Sequence, residues 1–254
     1  MSKNKITLVT GGGRGLGKEM ALSIAKKGID VVLTYNSNKD AADEVVKEIQ
    51  ALGQKATTLK LNVANAANFD GFMLELQKSL KLVFNDEKID FLINNGGFGA
   101  SNSSIAETTE EQFDQLMNVY FKGVFFFTQK VLPILNDGGA IVNISSGLTR
   151  ASSPGRGAYA CMKSAVETLT KYLAKELGGR NIRVNVVAPG AIATDFGGGY
   201  TKNNQQVQEY LKSITAIPRI GQPDDIGGII AFLCTDDAKW ITGQRIEASG
   251  GMTL

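Results

Sequence analysis

Residues 140–163, AIVNISSGLTRASSPGRGAYACMK, decide how this 254-residue chain folds. Ile141-Val142-Asn143-Ile144 is a short apolar run rich in β-branched residues, the pattern of a buried strand, and it ends in two hydroxyls, Ser145 and Ser146. A loop of Gly, Ser, Pro and Arg follows. Ala158-Tyr159 then opens a long helical pattern that carries Lys163. Tyr159 and Lys163 are four apart, so a helix sets them on one face. The loop can fold Ser146 back over that face. Strand, loop and helix make one βα unit with a hydroxyl, a phenol and an ammonium at the strand's C-terminal end.

Those three groups suit proton transfer to or from an alcohol oxygen. A free phenol has a pKa of about 10, too high for work near neutrality. A lysine charge about 5 Å away, at an effective dielectric of about 20, favours the phenolate by roughly 3 kcal/mol. That is about two pK units, so the expectation is a phenol near pKa 8. Ser146 would hold a substrate oxygen against it. Ser145 is the rival hydroxyl, and strand alternation points the two opposite ways. A buried tyrosine and a solvated lysine produce the same Tyr-x-x-x-Lys spacing with no chemistry. The motif therefore needs a nucleotide site elsewhere in the chain to supply a hydride.

Lys5 to Thr10 is a short apolar strand, Gly11-Gly12-Gly13-Arg14-Gly15-Leu16-Gly17 follows, and Lys18 to Gly28 has helical spacing. Strand, glycine loop and helix N-terminus form a phosphate cradle, with backbone N–H groups and the helix dipole facing the anion. A GxGxxG spacing does not fit. A Walker A frame nearly fits at Gly12, Gly17 and Lys18, but Glu19 stands where a Mg²⁺-binding hydroxyl belongs and would repel phosphates. The frame that fits is Thr10-Gly11-x-x-x-Gly15-x-Gly17. A glycine-rich turn without a ligand is the plain alternative.

Further strands are expected at Val31–Tyr35, Ala56–Leu61, Ile89–Ile93, Ile182–Val187 and Gln244–Ala248. Helices are expected after the cap Asn36-Ser37-Asn38-Lys39 to about Gly53, over 66–83, from Glu110 to Leu135, from Tyr159 to about Leu177, and from Asp224 to Leu233. Strand and helix alternate throughout, which predicts an α/β chain. The expectation is a single-domain, Rossmann-type, doubly wound sheet of about seven parallel strands over residues 1–254, with helices on both faces.

Net charge is +2, which gives no electrostatic case for nucleic acid or a membrane surface. No long apolar run or secretory segment is evident at Met1-Ser2-Lys3-Asn4-Lys5, which points to the cytoplasm. Histidine is absent, removing Ser-His triads and most zinc sites, and no metal is expected. Cys161 and Cys234 have no metal or redox spacing and read as small core residues.

Taken together, Thr10-Gly11-x-x-x-Gly15-x-Gly17, Asn94-Asn95-Gly96-Gly97, Asn118, Ser146, Tyr159-x-x-x-Lys163 and Pro189-Gly190 with Thr194 resemble the short-chain dehydrogenase/reductase family. The resemblance spans essentially the whole chain and is nearest to 3-oxoacyl-carrier-protein reductase-like and sugar or polyol dehydrogenase members. It implies an oxidoreductase interconverting a carbonyl and a secondary alcohol on a small molecule. Tyr159 would be general acid or base. Lys163 would tune it and bind the nicotinamide ribose. Ser146 would orient the carbonyl, and Asn118 would hold a water linking Lys163 to solvent. Gly11, Arg14, Gly15, Leu16 and Gly17 would meet the phosphates, and Asn62 and Val63 the adenine. Asn95, Gly96 and Gly97 would flank the cofactor, and Pro189, Gly190, Ile192 and Thr194 would meet the nicotinamide end. Asn62 replaces the family's usual aspartate, and Gly96 its usual alanine. A catalytically silent dinucleotide sensor on the same fold is the rival reading.

NADP(H) is expected over NAD(H). Discrimination lies just beyond the second strand, where an NAD enzyme typically places a carboxylate. Here Tyr35, Asn36 and Ser37 occupy that run, and Arg14 resembles the basic residue of NADP-preferring members. Asn36, Ser37 and Lys39 could add donors. Residues 195–212 start with a glycine run and are expected to form a substrate lid. Val119-Tyr120-Phe121 and Val124-Phe125-Phe126-Phe127 put apolar groups nearly all round one helix, which predicts a second buried face. The resemblance suggests a homotetramer, or a dimer, built on that helix and the Tyr159 helix.

Overall fold

Apolar, β-branched runs become strands wherever both faces can be covered, and helices with one apolar stripe cover them. The computed structural model describes residues 4–99 and 103–254; the Met1-Ser2-Lys3 part of the N-terminal reading lies outside them. In chain order the elements are β1 (Ile6–Val9), α1 (Gly15–Ala25), β2 (Asp30–Tyr35), α2 (Lys39–Ala51), β3 (Ala56–Lys60), α3 (Phe69–Ser79) and β4 (Ile89–Asn94). There follow α4 (Glu110–Met117), α5 (Gly123–Val131), β5 (Leu135–Ile144), α6 (Gly157–Leu177), β6 (Arg183–Pro189), α7 (Tyr200–Asn203), α8 (Gln205–Ser213), α9 (Pro223–Leu233) and β7 (Arg245–Ala248).

All the strands join one sheet in the order β3-β2-β1-β4-β5-β6-β7, every pairing parallel. The order reverses between β1 and β4, and a crevice opens there at the C-terminal strand ends. One face is packed by Met20, Ile24, Val45, Ile226 and Ile230 from α1, α2 and α9. The other is packed by Phe69, Leu76, Phe127, Val131 and Leu173 from α3, α5 and α6. Each fully buried side chain of this size contributes about 1.5–3 kcal/mol.

Three boundaries depart from the sequence expectation. The helix expected from Lys18 begins at Gly15, so the glycine loop itself forms its first turn. The helix expected from Glu110 to Leu135 is divided by a π-helical turn, Asn118–Lys122, and Leu135 belongs to β5. Gly123 closes that turn by donating its N–H to the Asn118 carbonyl. A Cβ on Gly123 would stand 2.2 Å from the Val63 carbonyl oxygen, so only glycine lets the helix pass the end of β3 this closely. The helix expected over 66–83 is α3 flanked by a 3₁₀ turn and by a second π turn, Leu80–Phe84.

A buried polar rung ties the sheet to the helices below the crevice. Asn94 Nδ2 donates to Thr128 Oγ1 at 2.9 Å and to Asn143 Oδ1 at 2.8 Å, and Asn143 Nδ2 donates to Thr170 Oγ1 at 2.9 Å. Buried amides need such partners, and these fix the register of β4, β5, α5 and α6 against one another.

Candidate active site

β5 ends at Ile144 and leaves Ser145 and Ser146 facing opposite ways. Ser145 is buried and its Oγ donates to Glu167 Oε1 at 2.6 Å. Ser146 turns to the other side, where its hydroxyl neighbours the Tyr159 phenol and favours its ionised form. A 3₁₀ turn, Gly147–Thr149, starts there, with Ser146 Oγ accepting from the Leu148 N–H at 3.2 Å. α6 brings Tyr159 and Lys163 to the same face, both buried. Lys163 Nζ donates to the Ile144 carbonyl at 2.7 Å and lies 5.7 Å from the centroid of the Tyr159 ring.

The electrostatics reverse the sequence expectation of a phenol near pKa 8. Burial pushes Tyr159 up to about 12, while the neighbouring Ser146 hydroxyl and the Arg156 charge pull the other way. Burial also pulls Lys163 down to about 7. The reason is geometric. Lys163 sits over the ring and bonds a strand carbonyl, and desolvation is the largest influence on both groups. The phenol is thus held protonated near neutral pH, the form that can donate to a carbonyl oxygen.

Asn118 begins the π turn, half-buried, on the segment packed against α6. Tyr120, two residues on, is buried between this turn, Tyr159 and Lys163. The sequence places it on the apolar face of this helix and gives it no part in the site. Glu167, which the sequence does not single out, accepts at Oε1 from Thr149 Oγ1 at 2.7 Å and from Arg245 Nε at 2.8 Å. Arg245 in turn bonds Glu247, so α6, the Ser146 turn and β7 are tied together beneath the hydroxyl. The signal was present in the spacing, because Glu167 lies four residues beyond Lys163 on the same helix face.

The glycine loop lies at the β1/β4 crevice. Gly11 has φ +66° and Gly15 φ +55°, both left-handed, which glycine adopts without cost. A Cβ on Gly17 would fall 2.1 Å from the Gly11 carbonyl oxygen and 2.6 Å from Asn95 Nδ2. The loop is fastened from behind. Asn95 Nδ2 donates to the Thr10 and Gly11 carbonyls, and Thr10 Oγ1 accepts from the Asn95 and Gly96 N–H groups. Thr34 Oγ1 accepts from the Gly11 N–H at 3.1 Å. Arg14 is the exposed N-cap of α1 and its side chain makes no capping bond. The first N–H groups of α1 therefore point out of the helix end with no capping side chain, and Leu16 lies in that first turn. A pyrophosphate fits this cradle.

The remaining expected residues surround it. Thr194, buried, stands against Gly15, with its Cβ 3.8 Å from where a Gly15 Cβ would be. Ile192 bridges Gly221, and Pro189 and Gly190 end β6, with Gly190 packed on Ser249. Val63 packs on Gly96, leaving 3.1 Å for a Cβ there. Gly97 is exposed beside them. Asn62 is exposed and its Oδ1 accepts from the Ala64 N–H at 3.0 Å. Tyr35 closes β2, with Asn36 and Ser37 exposed beyond it. Lys39 pairs with Asp43 one helical turn on. One expectation needs correction: Cys161 is exposed on α6, because its position faces away from the sheet, whereas Cys234 is buried.

A family model described as enoyl-(acyl carrier protein) reductase matches residues 11–253. An uncharacterised oxidoreductase of Methylorubrum extorquens is 38% identical over 99% of this chain and 100% of its own length. A 3-oxoacyl-[acyl-carrier-protein] reductase of Staphylococcus aureus is 36% identical over the full length of both. Among solved structures, the angucycline C-6 ketoreductase LanV with bound NADP superposes with a TM-score of 0.93 at 36% identity, covering 100% of this chain and 98% of that one. A blue fluorescent protein from a metagenomic library, in complex with NADPH, gives 0.90 at 31%, covering 99% of each chain. With the glycine cradle at the strand-order reversal, Tyr159 and Lys163 on one face of α6 beside Ser146, and a family match over nearly the whole length, the chain belongs to the short-chain dehydrogenase/reductase family.

Proposed function

We propose that this protein is an NADP(H)-dependent oxidoreductase that interconverts a small-molecule carbonyl and its secondary alcohol. The observation that carries the reading is the convergence of the Ser146 hydroxyl, the buried Tyr159 phenol and the buried Lys163 ammonium, the last two on one face of α6, set beside the glycine cradle. When bound, the nicotinamide dinucleotide supplies or takes up the hydride. Gly11, Arg14, Gly15, Leu16 and Gly17 would hold its phosphates and Thr194 would close over them. Tyr159 donates its proton to the substrate oxygen in reduction and takes it back in oxidation. Ser146 holds that oxygen in line, and Lys163 stabilises the phenolate left behind. Asn118, on the π turn, would connect Lys163 to solvent.

The preference for NADP(H) is supported by the absence of a carboxylate at Tyr35, Asn36 and Ser37, by Arg14, and by the NADP and NADPH held by the solved relatives. Residues 195–212 would serve as the lid: a 3₁₀ turn over Phe196–Gly199 leads into α7 and α8. A homotetramer is part of the same proposal. Val119, Tyr120 and Phe127 are buried within the chain, whereas Phe113, Phe125 and Phe126 on α4–α5 and Tyr172 on α6 remain exposed and suit a second copy. Among the described residues no helix is long and apolar enough to cross a membrane. A cytoplasmic location belongs to the proposal. The test is oxidation of NADPH and NADH followed optically against a panel of 3-oxoacyl, sugar and aromatic ketones. Turnover with any ketone supports the reading, and cofactor binding without turnover on the whole panel supports the silent sensor instead.

A further inference from the structure

Tyr120 is 2% exposed and stands inside the π turn, at the junction of three parts of the site. Its ring meets the Tyr159 ring edge-on, with centroids 5.0 Å apart and planes at 89°. The Lys163 ammonium lies 4.6 Å from the Tyr120 centroid, nearer than to Tyr159. Its hydroxyl accepts from the Phe98 N–H at 2.9 Å and donates to the Phe98 carbonyl. Phe98 also stacks on the ring, with centroids 5.6 Å apart. A Cβ on Gly97 would come within 2.7 Å of Tyr120 Cε1, so glycine at 97 is what admits the ring.

Lys163 is nearly fully buried, and a buried ammonium needs compensation. One carbonyl, that of Ile144, accepts from it. The negative face of an aromatic ring at this distance supplies the rest. The titratable groups packed around Lys163 are Tyr159 on its own helix and Tyr120 on the π turn. Arg156 acts on both phenols. Glu167, one helical turn on, is taken up by Ser145, Thr149 and Arg245.

We infer that Tyr120 is a positioning residue: its ring face seats the Lys163 ammonium beneath Tyr159, and its hydroxyl locks the turn at Gly97-Phe98 to that seat. The turn after β4 flanks the glycine cradle through Asn95 and Gly96, so the residue links the cofactor side of the site to the proton-transfer side. The inference rests on the reading of Tyr159 and Lys163 as the proton-transfer pair.

The test compares Tyr120→Phe, which keeps the ring and loses the hydroxyl, with Tyr120→Leu, which loses both. Lys163 is titrated by NMR in ¹³C,¹⁵N-lysine-labelled protein without cofactor, its signal assigned by its loss in Lys163→Met. Tyr120→Leu is expected to lower the Lys163 midpoint by about one pH unit, and Tyr120→Phe to restore the wild-type midpoint. Exchange of the Phe98 amide should quicken in both variants, because both lose the hydroxyl acceptor. The pH profile of kcat should move with the Lys163 midpoint. If Tyr120→Leu does not fold, Tyr120→Met fills more of the space and carries the same expectation. An unmoved midpoint in the folded Leu or Met variant, or a Phe variant displaced as far as the Leu variant, overturns the inference. Tyr159→Phe is measured alongside. Retained turnover there counts against the proton-transfer reading, while the Lys163 titration still decides the seat.

Discussion

Gly99 and Gly197 meet backbone to backbone: a Cβ on Gly99 would stand 2.2 Å from the Gly197 Cα. The turn after β4 thus touches the base of the proposed lid. Gly197, Gly198 and Gly199 have φ of +63°, +74° and +74°, a left-handed run that bends the chain into α7. Gly99→Ala should force the lid base away, with kcat/KM falling about tenfold or more and cofactor Kd barely changed. Proteolysis within 195–212 should quicken in that variant. In the wild type it should slow when cofactor and substrate are both present, and equal cutting with and without ligands would remove the lid from the proposal.

Tyr159→Phe deletes only the transferable proton. Turnover should fall by about 100-fold or more while cofactor Kd holds. Lys163→Ala should damage both, since the proposed function gives the ammonium a part with both phenolate and cofactor. Stopped-flow hydride transfer and equilibrium cofactor titration separate the two effects. A Tyr159→Phe rate within tenfold of wild type would falsify the proton-transfer role.

Cofactor choice is testable at two positions. One or two charge-assisted bonds to a 2′-phosphate are worth about 1.5–3 kcal/mol each. They give NADPH a preference of roughly tenfold to a thousandfold in kcat/KM. Arg14→Ala should weaken NADPH far more than NADH, and Tyr35→Asp should turn the preference toward NADH. Equal kcat/KM for both cofactors in the wild type would refute the assignment.

Gly17→Ala places a methyl 2.1 Å from the Gly11 carbonyl oxygen. Neither partner can yield, because Asn95 holds the Gly11 carbonyl and α1 packs closely on α9. The variant should lose about 1–3 kcal/mol of stability, lowering Tm by several degrees, and lose cofactor binding more severely. Thermal melts with and without NADPH read both effects. A variant with wild-type cofactor protection would argue against the cradle.

Two buried groups set opposite pH trends in stability. Lys163, pulled down to about 7, binds fewer protons folded than unfolded between about pH 7 and 10. Stability should therefore rise with pH across that window, with a slope of up to about 1.4 kcal/mol per pH unit. Tyr159, pushed up to about 12, holds its proton when folded and loses it when unfolded above pH 10. Its contribution is present below pH 10 and lost as pH rises toward 12. Denaturation midpoints of wild type, Lys163→Met and Tyr159→Phe across pH 6–11 should show the rise vanish in the lysine variant. A rise of the same slope in Lys163→Met would show that another group causes it.

Local pattern alone revealed the alternation of strands and helices, the glycine loop after β1, and Tyr159 with Lys163 on one helix face. These depend on residues within a turn or two of one another, and a 3.6-residue or two-residue period carries them. That Ser145 and Ser146 face opposite ways was legible for the same reason, since strand alternation is local. The π turn at Asn118 was not, because it arises where Gly123 passes Val63, residues far apart in the chain. The phenol near pKa 8 failed because Coulomb attraction follows from spacing, whereas desolvation follows from what covers a group. Tyr120 reaching Phe98, Glu167 meeting Arg245, and Cys161 turned outward were likewise settled by packing across the fold. Sequence by itself determined which side chains could do the chemistry. Tertiary structure decided their protonation, because burial is the sum of contacts that no single stretch of chain contains.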